Sequence, residues 1–133
     1  MQAAKKQDAQ VYTFTVFPEF LNYAGTLFGG KLLSEMDLAA SNCARRALYG
    51  SGCDGLVTAH VGEVNFLTPA YLGDIVELHT DVLEWGNTSV KVGIKAIKEE
   101  VNGQRRTICD AFFVFVALQK GKPFKHKLKP VGP

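Results

Sequence analysis

Cysteine is scarce: Cys43, Cys53 and Cys109 are the three in 133 residues, an odd number with no C-x-x-C spacing. That excludes a disulfide framework and the usual ligand spacing of a zinc site. It suits a reducing compartment, and a cytoplasmic location is expected. Long apolar runs are lacking as well. The longest, FFVFVAL at 112–118, falls far short of the roughly 20 residues that cross a bilayer. The opening MQAAKKQDAQ has charges where a secretory leader has an apolar stretch, so no membrane partner is expected.

Signatures of other chemistries are missing too. Neither Ser34 nor Ser41 sits in a G-x-S-x-G elbow, and the single Gly29-Gly30 pair is not a nucleotide-binding fingerprint. His60 and His79 fall in strand-like segments with no third residue at metal or triad spacing, so both read as structural. No metal and no cofactor are expected.

Acidic residues are absent from one place. Residues 120–133 hold five of the 15 Lys and Arg and none of the 13 acids, which leaves ten basic against 13 acidic residues before them, a net of −3. Such a body offers nucleic acid no basic face, and no nucleic-acid partner is expected. The stretch from about 120 reads as a solvated, flexible tail whose lysines suit the phosphates of a smaller ligand.

What is present describes one globular domain over 1–133, with 47% hydrophobic and 21% charged residues. VYTFTVF at 11–17, rich in β-branched and aromatic residues and stopped by Pro18, predicts a first strand. From Gly29 to Leu48, apolar residues recur at spacings of three and four and end at Gly50, which predicts the one long helix. Four strands follow over 56–67, 74–85, 88–97 and 104–118. Asn102-Gly103 marks a tight turn, and a change of apolar phase at Gly62 marks a β-bulge. One helix cannot cover a flat five-stranded sheet, so an antiparallel sheet that curls around the helix is expected, an α+β architecture in the order β-α-β-β-β-β.

Three spaced blocks carry a family pattern. NYAGTLFGGKLLSEMDLAA at 22–40, VTAHVGEVNFLTPAYLGD at 57–74 and WGNTSVKV at 85–92 together resemble the hotdog-fold acyl-coenzyme A thioesterases of the small YciA-like type. The resemblance covers roughly residues 10–120 and departs from the pattern at Ala24 and Thr26, where relatives often carry Asn and Asp. It implies hydrolysis of acyl-CoA to the acid and CoA, pairing of subunits through their sheets, and further assembly to a tetramer or hexamer. It puts Asp37 at the catalytic carboxylate, as general base or as nucleophile, and Asn22 with Gly29 and Gly30 beside the thioester. Gly86, Asn87, Thr88, Ser89 and Lys91 fall near the CoA nucleotide.

The chemistry explains why an acid sits mid-helix among apolar neighbours. A thioester carbonyl is already electrophilic, so hydrolysis needs a positioned carboxylate and a site for the oxyanion. Leu33, Ser34, Ala40 and Ser41 surround Asp37 at helical spacing, and an unpaired carboxylate there is poorly solvated. Backbone amides at Gly29 and Gly30, where the helix starts, suit the oxyanion. Gly30 and Asp37 are seven residues apart, about 10 Å along a helix axis at roughly 1.5 Å per residue, too far to touch one carbonyl. If both act on it, two subunits must share each site. Glu35, the nearest competing acid, points away from Asp37 toward solvent or a subunit seam.

Two other readings of the same fold differ in their requirements. A non-catalytic acyl-CoA sensor commonly works with a DNA-binding partner, and the chain has no room for a helix-turn-helix beside the core. A dehydratase needs a catalytic His with an acid in the helix region, and this helix contains no His. Acyl-chain length depends on the packing of side chains such as Leu32, Met36 and Phe66.

Overall fold

The computed structural model describes residues 3–4 and 10–130. Its elements run β1 (Ala3–Ala4), β2 (Gln10–Thr15), a 3-10 turn (Pro18–Phe20), α1 (Gly29–Ala47), β3 (Gly55–Phe66), β4 (Ile75–Trp85), β5 (Ser89–Glu99), β6 (Arg105–Gln119), β7 (Lys122–Pro123) and β8 (Lys129–Pro130). The five long strands and the helix lie within a residue or two of their expected bounds. The main sheet is antiparallel in the order β2-β4-β5-β6-β3, with β7 added to β6. β1 and β8 form a separate parallel pair.

Helix α1 packs on β3, β4, β5 and β6, as a helix held in the hollow of a curved sheet does. Its small residues permit this approach: Ala39, Ala40, Cys43, Ala44 and Ala47 are buried along with Leu32 and Met36. Inward residues of the sheet complete the core, with Val76, Leu78, Val90, Val92, Phe113 and Phe115 almost wholly buried. Gly50, at φ 87°, provides the left-handed turn that ends the helix, and Arg45 and Arg46 favour the carbonyl end of its dipole. One stripe of the helix stays open to solvent, including Leu38 at 52% exposure. No helix among the described residues is long and apolar enough to cross a membrane.

The bulge expected at Gly62 is present between Gly62 and Asn65, where Glu63 takes φ 50°. A second lies between Thr58 and His60. Because each extra residue reverses which face the strand presents, Thr58 and Val61 both face the helix, opposite the buried Phe115 and Phe113. The bulge before Asn65 again lets Phe66 face inward opposite Cys109.

The tail is a correction. Residues 120–128 were expected to be solvated, yet β7 pairs with β6, the Phe124 amide donates to the Ala117 carbonyl, and His126 and Leu128 are buried. His126 Nε2 donates to the Ser89 carbonyl at 3.0 Å, and Nδ1 accepts from the Leu128 amide at 3.1 Å. The alternation Lys125, His126, Lys127, Leu128 places the lysines outward and their neighbours inward. Charge composition hid this period-two pattern. Residues 131–133 lie outside the described residues.

Candidate active site

Asp37 projects from the third turn of α1 toward edge strand β3 and is half-buried. It is not the unpaired carboxylate expected from its helical neighbours: Thr58 Oγ1 donates to Asp37 Oδ1 at 2.8 Å. Among the described residues, Asp37 Oδ2 has no hydrogen-bond partner. One oxygen is therefore fixed and the other is available to a water or an acyl carbon.

The start of the helix is open in a complementary way. Phe28 is the N-cap, with extended backbone (φ −64°, ψ 128°) and no side-chain cap, and the first turn carries no acid. The Phe28 amide is satisfied by the Phe20 carbonyl at 2.9 Å, and the first helical bond runs from Leu32 to Phe28 at 3.0 Å. The amides of Gly29, Gly30 and Lys31 are thus left without a partner among the described residues, at the positive end of the dipole. A Cβ on Gly30 would lie 2.7 Å from the exposed Phe28 ring, which would have to turn aside.

Beside this terminus is an open cavity of about 320 Å³ lined by Leu27, Gly29, Leu32, Phe66, Leu67, Thr68, Pro69, Ala70 and Ile108. Two of the residues expected to shape an acyl pocket, Leu32 and Phe66, line it; Met36 is fully buried in the core.

Asn22 has a different local role. Its Oδ1 accepts from the amides of Ala24 at 2.9 Å and Thr26 at 3.1 Å, and its Nδ2 donates to Thr26 Oγ1 at 2.9 Å. The side chain organises the 22–26 turn, which leads to the helix start. Thr26, one of the two departures from the family pattern, is the residue that completes this turn.

Gly86, Asn87, Thr88 and Ser89 form the β4–β5 turn, closed by the Gly86 amide on the Ser89 carbonyl at 2.9 Å. The Thr88 and Asn87 carbonyls accept from the Ala117 and His126 amides at 2.7 and 3.2 Å. Lys91 lies over the Phe112 ring at 4.1 Å and 3.8 Å from Glu84. Across β6, the Ser89 end of this turn and the Val57-Thr58 stretch flank the same two residues, Val116 and Phe115.

Two other acids depart from or refine expectation. Glu35 is less open to solvent than expected: its side chain is 16% exposed, it pairs with Lys31 at 2.8 Å, and among the described residues its Oε2 is buried with no partner. His79 Nε2 lies 2.9 Å from Glu77, which Arg105 also engages with both terminal nitrogens. That arginine holds the Glu77 carboxyl down to about 2. His60 packs against the Phe112 ring at 5.7 Å between centres.

Thr58 is the site residue that sequence reasoning missed. Strict alternation does not relate it to Val61, and only the unpredicted bulge at Ala59 gives both residues the helix-facing side.

Comparison with known proteins identifies the family. Residues 24–103 match the thioesterase superfamily. The chain is 34% identical over 111 residues to the acyl-CoA thioester hydrolase YciA of Escherichia coli, covering 80% of this chain and 81% of that protein. The chain belongs to the thioesterase superfamily. Among solved structures, the hexameric thioesterase y2039 of Yersinia pestis superposes with a TM-score of 0.80 at 30% identity, covering 91% of this chain and 94% of that one. An acyl-CoA hydrolase of Staphylococcus aureus, solved with butyryl coenzyme A, coenzyme A and coenzyme A disulfide, gives 0.80 at 29% identity, covering 94% and 76%. That enzyme was also solved as an aspartate-to-alanine and as a threonine-to-alanine mutant. The helix-in-sheet fold of this superfamily member is the hotdog fold.

Proposed function

We propose that this thioesterase-superfamily chain hydrolyses acyl-coenzyme A, with Asp37 as general base and a second copy of the chain supplying the oxyanion site. The observation that carries this reading is the hydrogen bond from Thr58 to Asp37, which holds one carboxylate oxygen beside an edge strand and leaves the other without a partner among the described residues. Asp37 Oδ2 takes a proton from water as the water oxygen attacks the thioester carbon. The tetrahedral oxyanion is stabilised by the free amides at Gly29 and Gly30, and its collapse breaks the C–S bond. The leaving thiolate takes up the proton held by Asp37. Water is the only co-reactant in this step, and coenzyme A is part of the substrate.

The two-subunit arrangement is supported by the exposed edge. β3 ends the sheet and leaves Val57 46%, Val61 42% and the neighbouring helical Leu38 52% exposed. Covering this edge with a second β3 satisfies its backbone groups and brings two helices side by side. The partner's Gly29-Gly30 amides then reach the carbonyl that Asp37 serves. Asn22 shapes the turn before those amides. The hexameric Yersinia relative supports assembly beyond a pair.

The cavity beside Gly29 takes the acyl chain. Gly86, Asn87, Thr88, Ser89 and Lys91 approach the CoA nucleotide, and the exposed tail lysines lie nearby on the same docked segment. The coenzyme A bound to the Staphylococcus relative supports an acyl-CoA substrate.

The test is a series of acyl-CoA esters of increasing chain length, with free thiol followed for the purified protein. Release from at least one ester is expected. Tight acyl-CoA binding with no release would turn the reading to a non-catalytic binding module.

A further inference from the structure

A buried cation holds one wall of the cavity beside Gly29. The inward residues of β5 are Val90, Val92, Ile94 and Ala96, all apolar and buried, and the next in the same alternation is Lys98, whose side chain is 4% exposed. A lysine that ends an apolar inward row needs partners, because an ammonium removed from water is costly unless paired and hydrogen-bonded. Lys98 Nζ donates to the Pro69 carbonyl at 2.8 Å, and lies 3.2 Å from Glu100 Oε1 and 4.0 Å from Asp74 Oδ2. The Tyr71 ring centre is 5.2 Å away.

All but one of these partners belong to the segment that joins β3 to β4. Leu67, Thr68, Pro69 and Ala70 of that segment line the cavity. Asp74, itself 4% exposed, closes the segment by accepting the Tyr71 amide at 2.8 Å. The Ala70 carbonyl accepts from the Leu27 amide at 2.8 Å, one residue before the helix N-cap. The position of the Pro69 peptide is therefore linked both to the cavity wall and to the start of α1.

We propose that Lys98 is a positioning residue: its hydrogen bond to the Pro69 carbonyl sets the wall formed by residues 67–70 and so limits the acyl chain that the cavity admits. This rests on the thioesterase reading above. Glu100 and Asp74 balance the charge, and the specific work falls to the ammonium, since among the described residues no other side chain donates to Pro69.

The experiment compares the wild type and Lys98→Met with acyl-CoA esters of short, medium and long chain, reading kcat and KM for each alongside the thermal midpoint. Methionine keeps an unbranched stem and removes the donor. The expected result is a relaxed wall, with kcat/KM for long esters rising about tenfold relative to short ones, the discrimination one methylene commonly carries in an apolar pocket. An unchanged ratio, with activity lost evenly across the series, would mean that Lys98 serves stability alone and would overturn the proposal. Should Lys98→Met fail to fold, Asp74→Asn decides: it weakens the charge pairing at nearly constant volume and is expected to shift the ratio the same way by a smaller factor, and no shift overturns the proposal. A wild type that releases thiol from no ester refutes the thioesterase reading instead, so the two failures are distinct.

Discussion

Thr58 and Asp37 join edge strand β3 to helix α1 through a single 2.8 Å hydrogen bond from hydroxyl to carboxylate. Neither residue is deeply buried, so the bond adds little to stability by the usual scale of about 1 kcal/mol for an intramolecular hydrogen bond. What it supplies is direction, since it fixes the carboxylate plane. Thr58→Val keeps the volume and removes the donor. It is expected to leave a folded protein with kcat lowered about tenfold to a hundredfold, the scale of a misplaced catalytic group. Asp37→Asn is expected to remove most turnover. An Asp37→Asn variant with near-normal thiol release contradicts the assignment.

The three cysteines differ sharply in access. Cys43 and Cys109 are fully buried, and burial pushes both thiols up, Cys109 to about 11. Since the thiolate is the reactive form, neither reacts readily in the folded protein. Cys53 is only partly buried and lines the cavity at the far end of the helix. Titration of the native protein with a chromogenic disulfide should therefore give one fast equivalent, with the other two appearing on unfolding. Three fast equivalents would contradict the core described above, and the single fast one sets the background of any thiol-release assay.

Element order and type were legible because each strand and the helix has its own apolar period, and Gly50, Gly62 and the Asn102-Gly103 turn mark breaks between or within them. The placement of the candidate site was legible only within one element: Asp37 and the Gly29-Gly30 start lie on one helix at fixed spacing. Thr58 depends on a bulge that no residue at Ala59 signals. Glu35 was placed by helical angle alone, which gives a direction around the axis but not the burial of its carboxylate. Asn22 illustrates the same limit, because its side-chain amide is engaged by Ala24 and Thr26 in a turn whose hydrogen bonds no spacing in the sequence reveals. The tail was misread because charge was weighed over the alternation of His126 and Leu128.

Acid stability should report the Glu77–Arg105 pair. The Arg105 guanidinium holds the Glu77 carboxyl at about 2, below its ordinary 4.5. A depressed carboxyl contributes stability above the unfolded value and loses it as pH falls toward the folded one. Glu77→Gln is therefore expected to lower the urea midpoint at neutral pH, with the difference from wild type shrinking between about pH 4.5 and pH 2. The pair is partly solvated, so the effect is small. A difference that stays constant over that range would show that the carboxylate's charge is not the cause.

Removing the tail is a poor probe of its lysines, because His126 and Leu128 are buried and hold the Asn87–Ser89 turn. Truncation after Gln119 is expected to lower stability as well as binding. Lys125→Gln with Lys127→Gln leaves the buried pair in place and removes two exposed charges. If they meet CoA phosphates, KM should rise several-fold for acyl-CoA and stay unchanged for a short pantetheine thioester. Equal effects on both substrates would rule out the phosphate role.

The shared site has a direct test that rests on helix geometry. Gly29→Pro removes one free amide and puts a ring at the mouth of the cavity, with little cost to the fold. It is the first helical position, where proline is favoured, and Phe28 before it already has the extended ψ of 128° that proline requires of its predecessor. A Cβ there meets the Phe66 ring at 3.5 Å, an ordinary contact. Gly29→Pro and Asp37→Ala should each be inactive alone. In a dimer of one with the other, the first subunit supplies an intact carboxylate and the second an intact helix start, so one of the two sites is whole. Random mixing at equal amounts gives about half heterodimer, and recovered activity should approach roughly a quarter of wild type if sites act independently. Co-refolding the two variants and following thiol release measures this. No recovery with heterodimers demonstrably present would place the carboxylate and the helix amides in the service of one subunit, and the 10 Å or so between them along α1 would then have to be bridged by water or by motion of the helix start.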